Sequence, residues 1–356
     1  MSENIPFDFA DHPDISDFAF AAGRERHQAL EGFDTHYVDI VDYIVRCTHR
    51  IWEERAVGLI YTHYASNVTM HSTLGLTYGA EAVVRATLKR LAAFSDYRAF
   101  ADDVIWCADG QGGFYTSHRI FTVGLNSGYT DFGPPTKRRI GRWVVADCAV
   151  RDNRIYEEWI ASDMGAELRQ LGYDPLTLAR SSAPLPQPLS ASESGQRLGQ
   201  FAPTLMDLPD PDDDPEGFVR TLLHNLFNGR MLNLVREHFA TGMVAWVPGG
   251  RALYGYGDYE VYVIGLLAQF PDLSLNIDHV VVLGDTARGW RVATRWTLRG
   301  THEGPGAYGP VSGRPIRLLG MTHTWLRGGK VVREWTVFDE YALLRQLHAP
   351  IAEVGS

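Results

Sequence analysis

The chain has 356 residues, 45% of them hydrophobic, and a formal net charge of −10 at pH 7. That length exceeds what one hydrophobic core usually fills, so two domains are expected, and the apolar fraction is that of an ordinary globular protein. The acidic balance, without a dense run of Lys and Arg, argues against phosphate-backbone recognition and excludes nucleic acid from the expected partners.

In chain order, residues 1–34 open with "MSENIPFDFADHPDISDF", acidic and interrupted by Pro6 and Pro13. This is unlike the basic-then-apolar order of a secretion signal. Phe7, Phe9, Phe18 and Phe20 stand among the acids, and the segment is expected to form an arm lying on a domain. No apolar run reaches the roughly 20 residues of a membrane span, so no membrane partner is expected and the cytoplasm is the expected address. Cys47, Cys107 and Cys148 lack C-x-x-C spacing, which indicates neither a disulfide framework nor a zinc cage.

Residues 35–172 form the first of two copies of one unit. A helical opening is followed by the strand-like "NVTMHS", a Gly/Tyr-rich loop and a helix at about Ala80–Ala93. The strands "DDVIWC", "GGFYTSHRIFTVG", "GRWVVADCAV" and "RIYEEWIAS" come next. Residues 173–214 hold seven prolines, "ASESGQ" and "DLPDPDDDPE", with another proline at Pro215. Fixed φ angles and clustered acids make this an extended linker.

The second copy spans 215–350. Asp214-Pro215 supplies a cap and first turn, and Phe218, Val219, Leu222, Leu223, Leu226 and Phe227 recur at helical spacing. A helix at about Tyr259–Ala268 precedes the strands "DHVVVLG", "GWRVATRWTLRG", "IRLLGMTHTWL" and "KVVREWTVF". Asp152-Asn153 and Gly328-Gly329 read as tight hairpin turns between the last two strands of each copy.

The duplication rests on register. "RAVGLIYTHYA" from Arg55 aligns with "RMLNLVREHFA" from Arg230 at an offset of 175. The offset then becomes 176 and holds through Phe94/Phe270, Arg119/Arg295, Gly133/Gly309 and Trp159/Trp335. Helices first and an antiparallel sheet afterwards give the α+β class.

Three motifs recur in both copies: Gly-Pro-x-[Ser/Thr]-[Gly/Lys]-Arg, Glu-Trp-x-x-x-Asp and Leu-Arg-Gln-Leu. Together, in "WTLRGTHEGPGAYGPVSGRPIRLLGMTHTWLRGGKVVREWTVFDEYALLRQL" and its variant in copy one, they resemble the SnoaL-like polyketide cyclases of the NTF2-like superfamily. The resemblance implies two tandem cone-shaped domains, each a curved antiparallel sheet packed on helices around a ligand pocket. It also implies an aspartate at the end of the last strand acting as general acid/base in an aldol closure, with no metal and no cofactor. That role falls on Asp339 and, by repeat symmetry, on Asp163.

Aldol closure needs a base for a carbon-bound proton and an acid for the carbonyl oxygen, and one buried carboxyl can serve as both. The competing reading of Asp163 and Asp339 is helix capping, because "SDMGAELRQL" and "FDEYALLRQL" both look like helix starts. Asp147 and His323 are polar residues within apolar strands and are candidate acid/base partners. Regular hairpin register places them opposite Glu158 and Glu334 and facing away from Asp163 and Asp339, unless a bulge intervenes; the alternative for His323 is a structural His–Glu bond. Arg119 and Arg295 are candidates for binding a carboxylate or enolate, or for pairing with a neighbouring acid. His71, Trp246, Trp159 and Trp335 complete the expected pocket lining.

The expected activity is that of a cofactor-independent cyclase, isomerase or hydrolase acting on a small carbonyl compound. The alternative is a non-catalytic binding or accessory protein with one degenerate domain. The copies differ at His71/Trp246, Asp147/His323, Tyr115/Arg291 and Asp103/His279, so identical ligands are not expected. The two domains are expected to pair within the chain, with a homodimer as a further arrangement. Metal and phosphate-loop signatures are absent from the sequence.

Overall fold

The computed structural model describes residues 25, 26, 28–186 and 203–352. The predicted aromatic arm, Phe7 to Phe20, lies outside them. The chain divides into two compact units, one made of Met1–Ser162 with Gln170–Gly172 and the other of Asp163–Arg169 with Tyr173–Ser356.

In the first unit, helix α1 (Ile40–Trp52) begins at Asp39, whose side chain accepts from the Asp42 amide at 2.7 Å. Asp42 in turn accepts from the Val38 amide at 3.0 Å, so two orphan donors of the helix start are satisfied reciprocally. Short helix α2 (Ile60–His63) leads into strands β1 (Tyr64–Ser72) and β2 (Gly75–Tyr78), then helix α3 (Ala80–Ala93). Strands β3 (Arg98–Ala108), β4 (Phe114–Leu125), β5 (Arg139–Arg151) and β6 (Arg154–Ser162) complete the sheet, in spatial order β2-β1-β6-β5-β4-β3. Tyr43, Ile44 and Cys47 of α1 pack with Phe114, Cys148, Val150 and Ile155 of the sheet in one continuous buried core.

Helices α4 (Met164–Leu171) and α5 (Pro175–Arg180) follow. The second helix corrects the reading of 173–214 as wholly extended. Asp174 accepts from the Thr177 amide at 3.0 Å and Pro175 occupies the first turn, a local start signal strong enough to form a helix inside a proline-rich segment.

The second unit repeats the pattern with α6 (Pro215–Leu223), α7 (Asn233–His238), β7 (Phe239–Val247), β8 (Arg251–Tyr254), α8 (Gly255–Gln269), β9 (Ser274–Asp285), β10 (Gly289–Thr301), β11 (Pro315–Arg327), β12 (Lys330–Phe338) and α9 (Glu340–His348). Its strand order is β8-β7-β12-β11-β10-β9. As the sequence predicts, Asp214 caps α6 by accepting from the Gly217 amide at 2.8 Å. The helix continues into one π turn at His224–Asn228, which keeps Leu226 and Phe227 buried.

Two details correct the expected sheet. Each is mixed, because β1 pairs in parallel with β6 and β7 with β12. The predicted tight turns do form, with positive φ at Asp152, Asn153, Gly328 and Gly329. Each is followed by a register shift that leaves Tyr156 or Val332 unpaired, so Asp147 faces Trp159 and His323 faces Trp335. An extra residue in one strand increases local twist, and the same bulge in both copies helps curl the sheet over its helices.

The recurring Leu-Arg-Gln-Leu motif has a structural use. The Gln170 amide accepts from and donates to the Gly141 backbone at 2.6 and 2.8 Å, and Gln346 does the same to Arg317 at 2.8 and 3.1 Å. Gly128 and Gly304 form another matched pair. Each amide donates into the last turn of α3 or α8, and a Cβ at Gly304 would lie 1.9 Å from the Ala268 carbonyl oxygen. Gly304→Ala is therefore expected to destabilise the protein by about 1–3 kcal/mol in urea unfolding. Gly242→Ala, where an added Cβ meets nothing within 4 Å, should change it by less than about 0.5 kcal/mol.

Candidate functional site

Strand alternation decides which side chains enter the second domain. Along β12, Glu334, Thr336 and Phe338 share the face that looks toward the helices, together with Thr322 on β11, while Trp335 and Val337 share the other. The first group lines a small cavity of ≈ 30 Å³ closed by Leu223, Phe227, Tyr259, Tyr262, Leu266 and Trp296. That volume holds a water molecule or two.

Glu334 is the only carboxyl in this lining and is 2% exposed. The Tyr259 hydroxyl donates to its Oε2 at 3.1 Å and the Thr336 hydroxyl to its Oε1 at 2.9 Å. Behind Thr336 the chain of hydrogen bonds continues to Thr322 at 2.9 Å and the Trp296 indole at 3.0 Å. Burial pushes the Glu334 carboxyl up to about 7, against the opposing pull of the Thr336 and Tyr259 hydrogen bonds. Burial, with Glu334 close by, also holds the Tyr259 phenol well above its ordinary value, so it keeps its proton and donates. The result is a carboxyl whose proton affinity is raised to near neutrality, beside a cavity with room for water.

The equivalent group in the first domain is Glu158. Burial raises it likewise to about 7, opposed by hydrogen bonds from Cys148, whose Sγ is 3.8 Å away, and from Tyr64. Its surroundings are the packed core, including Cys47, whose thiol burial pushes up to about 12.

The residues singled out from sequence take other places. Asp339 is half-buried and caps α9, its Oδ1 accepting from the Ala342 amide at 2.9 Å. Asp163 is 3% exposed and accepts from two backbone amides, Ala166 at 3.0 Å and Gly250 at 2.9 Å. His323 is fully buried beside Trp335 on the face away from Glu334, and Trp335 stacks on Trp246 at 4.6 Å. The bulge does give His323 and Asp339 the same strand parity. They remain separated by four residues along the strand, roughly 13 Å.

Asp147 accepts from the Tyr115 hydroxyl and from Ser117 at 2.5 Å. Next to it Trp159 stacks on His71 at 5.0 Å, and His71 contacts Glu157 at 2.8 Å. Arg119 pairs with Asp102 through Nε at 2.7 Å, the sheet-organising alternative, and Arg295 is buried opposite His279 and Met321. None of these ten residues borders the Glu334 cavity. The strand residues among them have the wrong parity, and the two aspartates stand where helices begin. A signal for Glu334 was present in the repeated Glu-Trp pair: an acid kept at the same place in the last strand of both copies.

A curled mixed sheet, helices across one face and a buried carboxyl on the last long strand define the small cone-shaped α+β domains. Residues 218–347, which make up the second copy, match the SnoaL-like polyketide cyclase family; the first copy has the same strand order. Among solved structures, a candidate SnoaL-like polyketide cyclase from Jannaschia sp. CCS1 is 22% identical, with a TM-score of 0.34, covering 41% of this chain and 99% of its own. IdmH, a candidate polyketide cyclase from Streptomyces antibioticus, is 28% identical with a TM-score of 0.31, covering 35% and 92%. TsrD from Streptomyces laurentii is 20% identical with a TM-score of 0.33, covering 40% and 98%. No curated protein matches the chain. Among the described residues no helix is long and apolar enough to cross a membrane.

The raised carboxyls make stability depend on pH. Between the ordinary glutamate value of 4.5 and about 7, the folded protein holds protons that the unfolded chain has released. This contribution is complete below pH 4.5 and is lost as pH rises through 7. Glu334→Gln should match the parent near pH 4.5 and exceed it at pH 8, the gap growing by up to about 3 kcal/mol, as read by chemical denaturation across that range.

Proposed function

We propose that the second domain is a cofactor-independent acid–base catalyst of the SnoaL-like cyclase type, acting on a small carbonyl-containing compound, with Glu334 as the proton-exchanging group. The observation that carries this reading is the buried, doubly hydrogen-bonded Glu334 carboxyl, raised by desolvation to about 7 beside a cavity. In the carboxylate form it takes a proton from carbon next to a carbonyl, leaving an enolate. In the acid form it returns that proton to the oxygen that gains charge as the carbon–carbon bond forms. Tyr259 and Thr336 orient the carboxyl and moderate its basicity. Asp339, the residue the family resemblance points to, is read as the α9 cap that fixes the end of β12.

The first domain is read as a non-catalytic copy, because the partners of Glu158, Cys148 and Tyr64, belong to or pack against the hydrophobic core cluster of that domain. A second reading, small-molecule binding without turnover, is favoured by the contrast between the Glu334 cavity, which at ≈ 30 Å³ holds only water, and the neighbouring pocket of ≈ 340 Å³. Under the catalytic reading Tyr262 or Leu266 must swing aside for a substrate, since both also wall a larger neighbouring pocket of ≈ 340 Å³.

Proton–deuteron exchange at the α-carbon of benzo-fused ketones such as 2-tetralone, followed by NMR, separates the two. Acceleration over buffer is expected, with Glu334→Gln reducing it by about 100-fold or more. Asp339→Asn, which preserves a good capping side chain, should alter it by less than about 10-fold. Exchange no faster than in buffer, or equal in Glu334→Gln, sinks the catalytic reading.

A further inference from the structure

The larger pocket adjoins the Glu334 cavity along α8, sharing Tyr262 and Leu266 with it, and has a different character. Its walls are Leu253, Val261, Tyr262, Leu266 and Tyr308, and its volume of ≈ 340 Å³ is within the range of small-molecule sites. Two charged groups border it, Arg251 and Asp258.

They are held differently. Asp258 is in the first turn of α8 and accepts from the Tyr254 amide at 3.1 Å, a helix-start contact that the helix dipole also favours. Arg251 has no carboxylate partner among the described residues. Its Nε donates to the Pro248 carbonyl at 2.9 Å, its guanidinium stacks 5.5 Å from the centre of the Tyr262 ring, and it hydrogen-bonds the Tyr308 side chain. A guanidinium fixed on several sides next to an apolar wall loses little freedom when it takes a carboxylate. Gln269 is already used, donating to the Gly265 carbonyl at 2.9 Å and accepting from the Tyr308 amide at 3.0 Å.

Gly265 adds a sign that the space is kept open. It lies within α8, where glycine is a poor helix former, and a Cβ there would meet nothing within 4 Å. An alanine would fit and strengthen the helix at the expense of pocket volume.

We infer that this pocket binds a small aromatic or alicyclic acid, with its carboxylate on Arg251 and its ring against Tyr262. Because Tyr262 and Leu266 also wall the Glu334 cavity, the acid's far end abuts the partition between the two spaces. A keto acid bound this way has its charged end outside and its carbonyl end nearest Glu334. That catalytic consequence rests on the acid–base reading above, whereas the binding claim does not.

Calorimetry on the full chain with 2-naphthoate, the neutral 2-acetonaphthone and the cationic 2-naphthylmethylammonium tests it. Naphthoate should bind at one site, about tenfold or more tighter than the ketone, and the amine more weakly still. Arg251→Gln, a change at an exposed side chain, should erase the preference for the acid. Gly265→Leu should abolish naphthoate binding while melting temperature and helical circular dichroism are retained. Equal affinity for acid and ketone, preference for the amine, or naphthoate binding untouched by Arg251→Gln overturns the inference. Naphthoate binding without exchange on ketones would leave this inference standing and the acid–base reading refuted; exchange without naphthoate binding would do the reverse.

Discussion

Desolvation of a single carboxyl on the last long strand is the constraint from which the functional reading of the second domain follows. Glu334 lies between Ala245 and Thr324 on the neighbouring strands, and it is kept from water by helices α6 and α8. A charged carboxylate there is costly, and the domain answers with two hydroxyl donors and a proton affinity raised to near neutrality. An apolar residue in its place would pack at lower cost. An acid with no partners would be worse than either, which is why Tyr259 and Thr336 belong to the same unit of structure.

Duplication lets this arrangement be compared with itself. Both copies keep the acid, the two-residue turn, the bulge and the glutamine that clasps the strand opposite the closing helix. They part company in what surrounds the acid. In the first domain Glu158 meets the Cys148 thiol and the Tyr64 hydroxyl, while in the second Glu334 meets two hydroxyls and a cavity. Keeping a buried acid in the first domain costs stability, because the charged form is desolvated.

Sequence periodicity was a good guide to the scaffold and said less about which carboxyl borders the cavity. The hairpins at Asp152-Asn153 and Gly328-Gly329, the cap at Asp214 and the helix at Ala80–Ala93 were all legible, because turn chemistry, capping and spacing act over a few residues. The reading of Asp163 and Asp339 contained the right local chemistry in its capping alternative. The placement of Asp147 and His323 depended on one unpaired residue in each hairpin. A shift of one position turns every later side chain to the other face.

Taken alone, the sequence determined the duplication, the α+β class, the order of the main helices and strands and the family resemblance of the second copy, since each is written in local pattern or in rare residues kept at one offset. Tertiary structure alone decided that the carboxyl facing the cavity is Glu334, that β1 and β7 pair in parallel with the last strands, and that Arg251 borders the larger pocket with no acidic partner among the described residues. The physical reason is that burial, and with it the proton affinity of an acid, is set by the atoms that surround a side chain in space. Those atoms come from strands and helices up to a hundred residues away, and no short stretch of sequence specifies them.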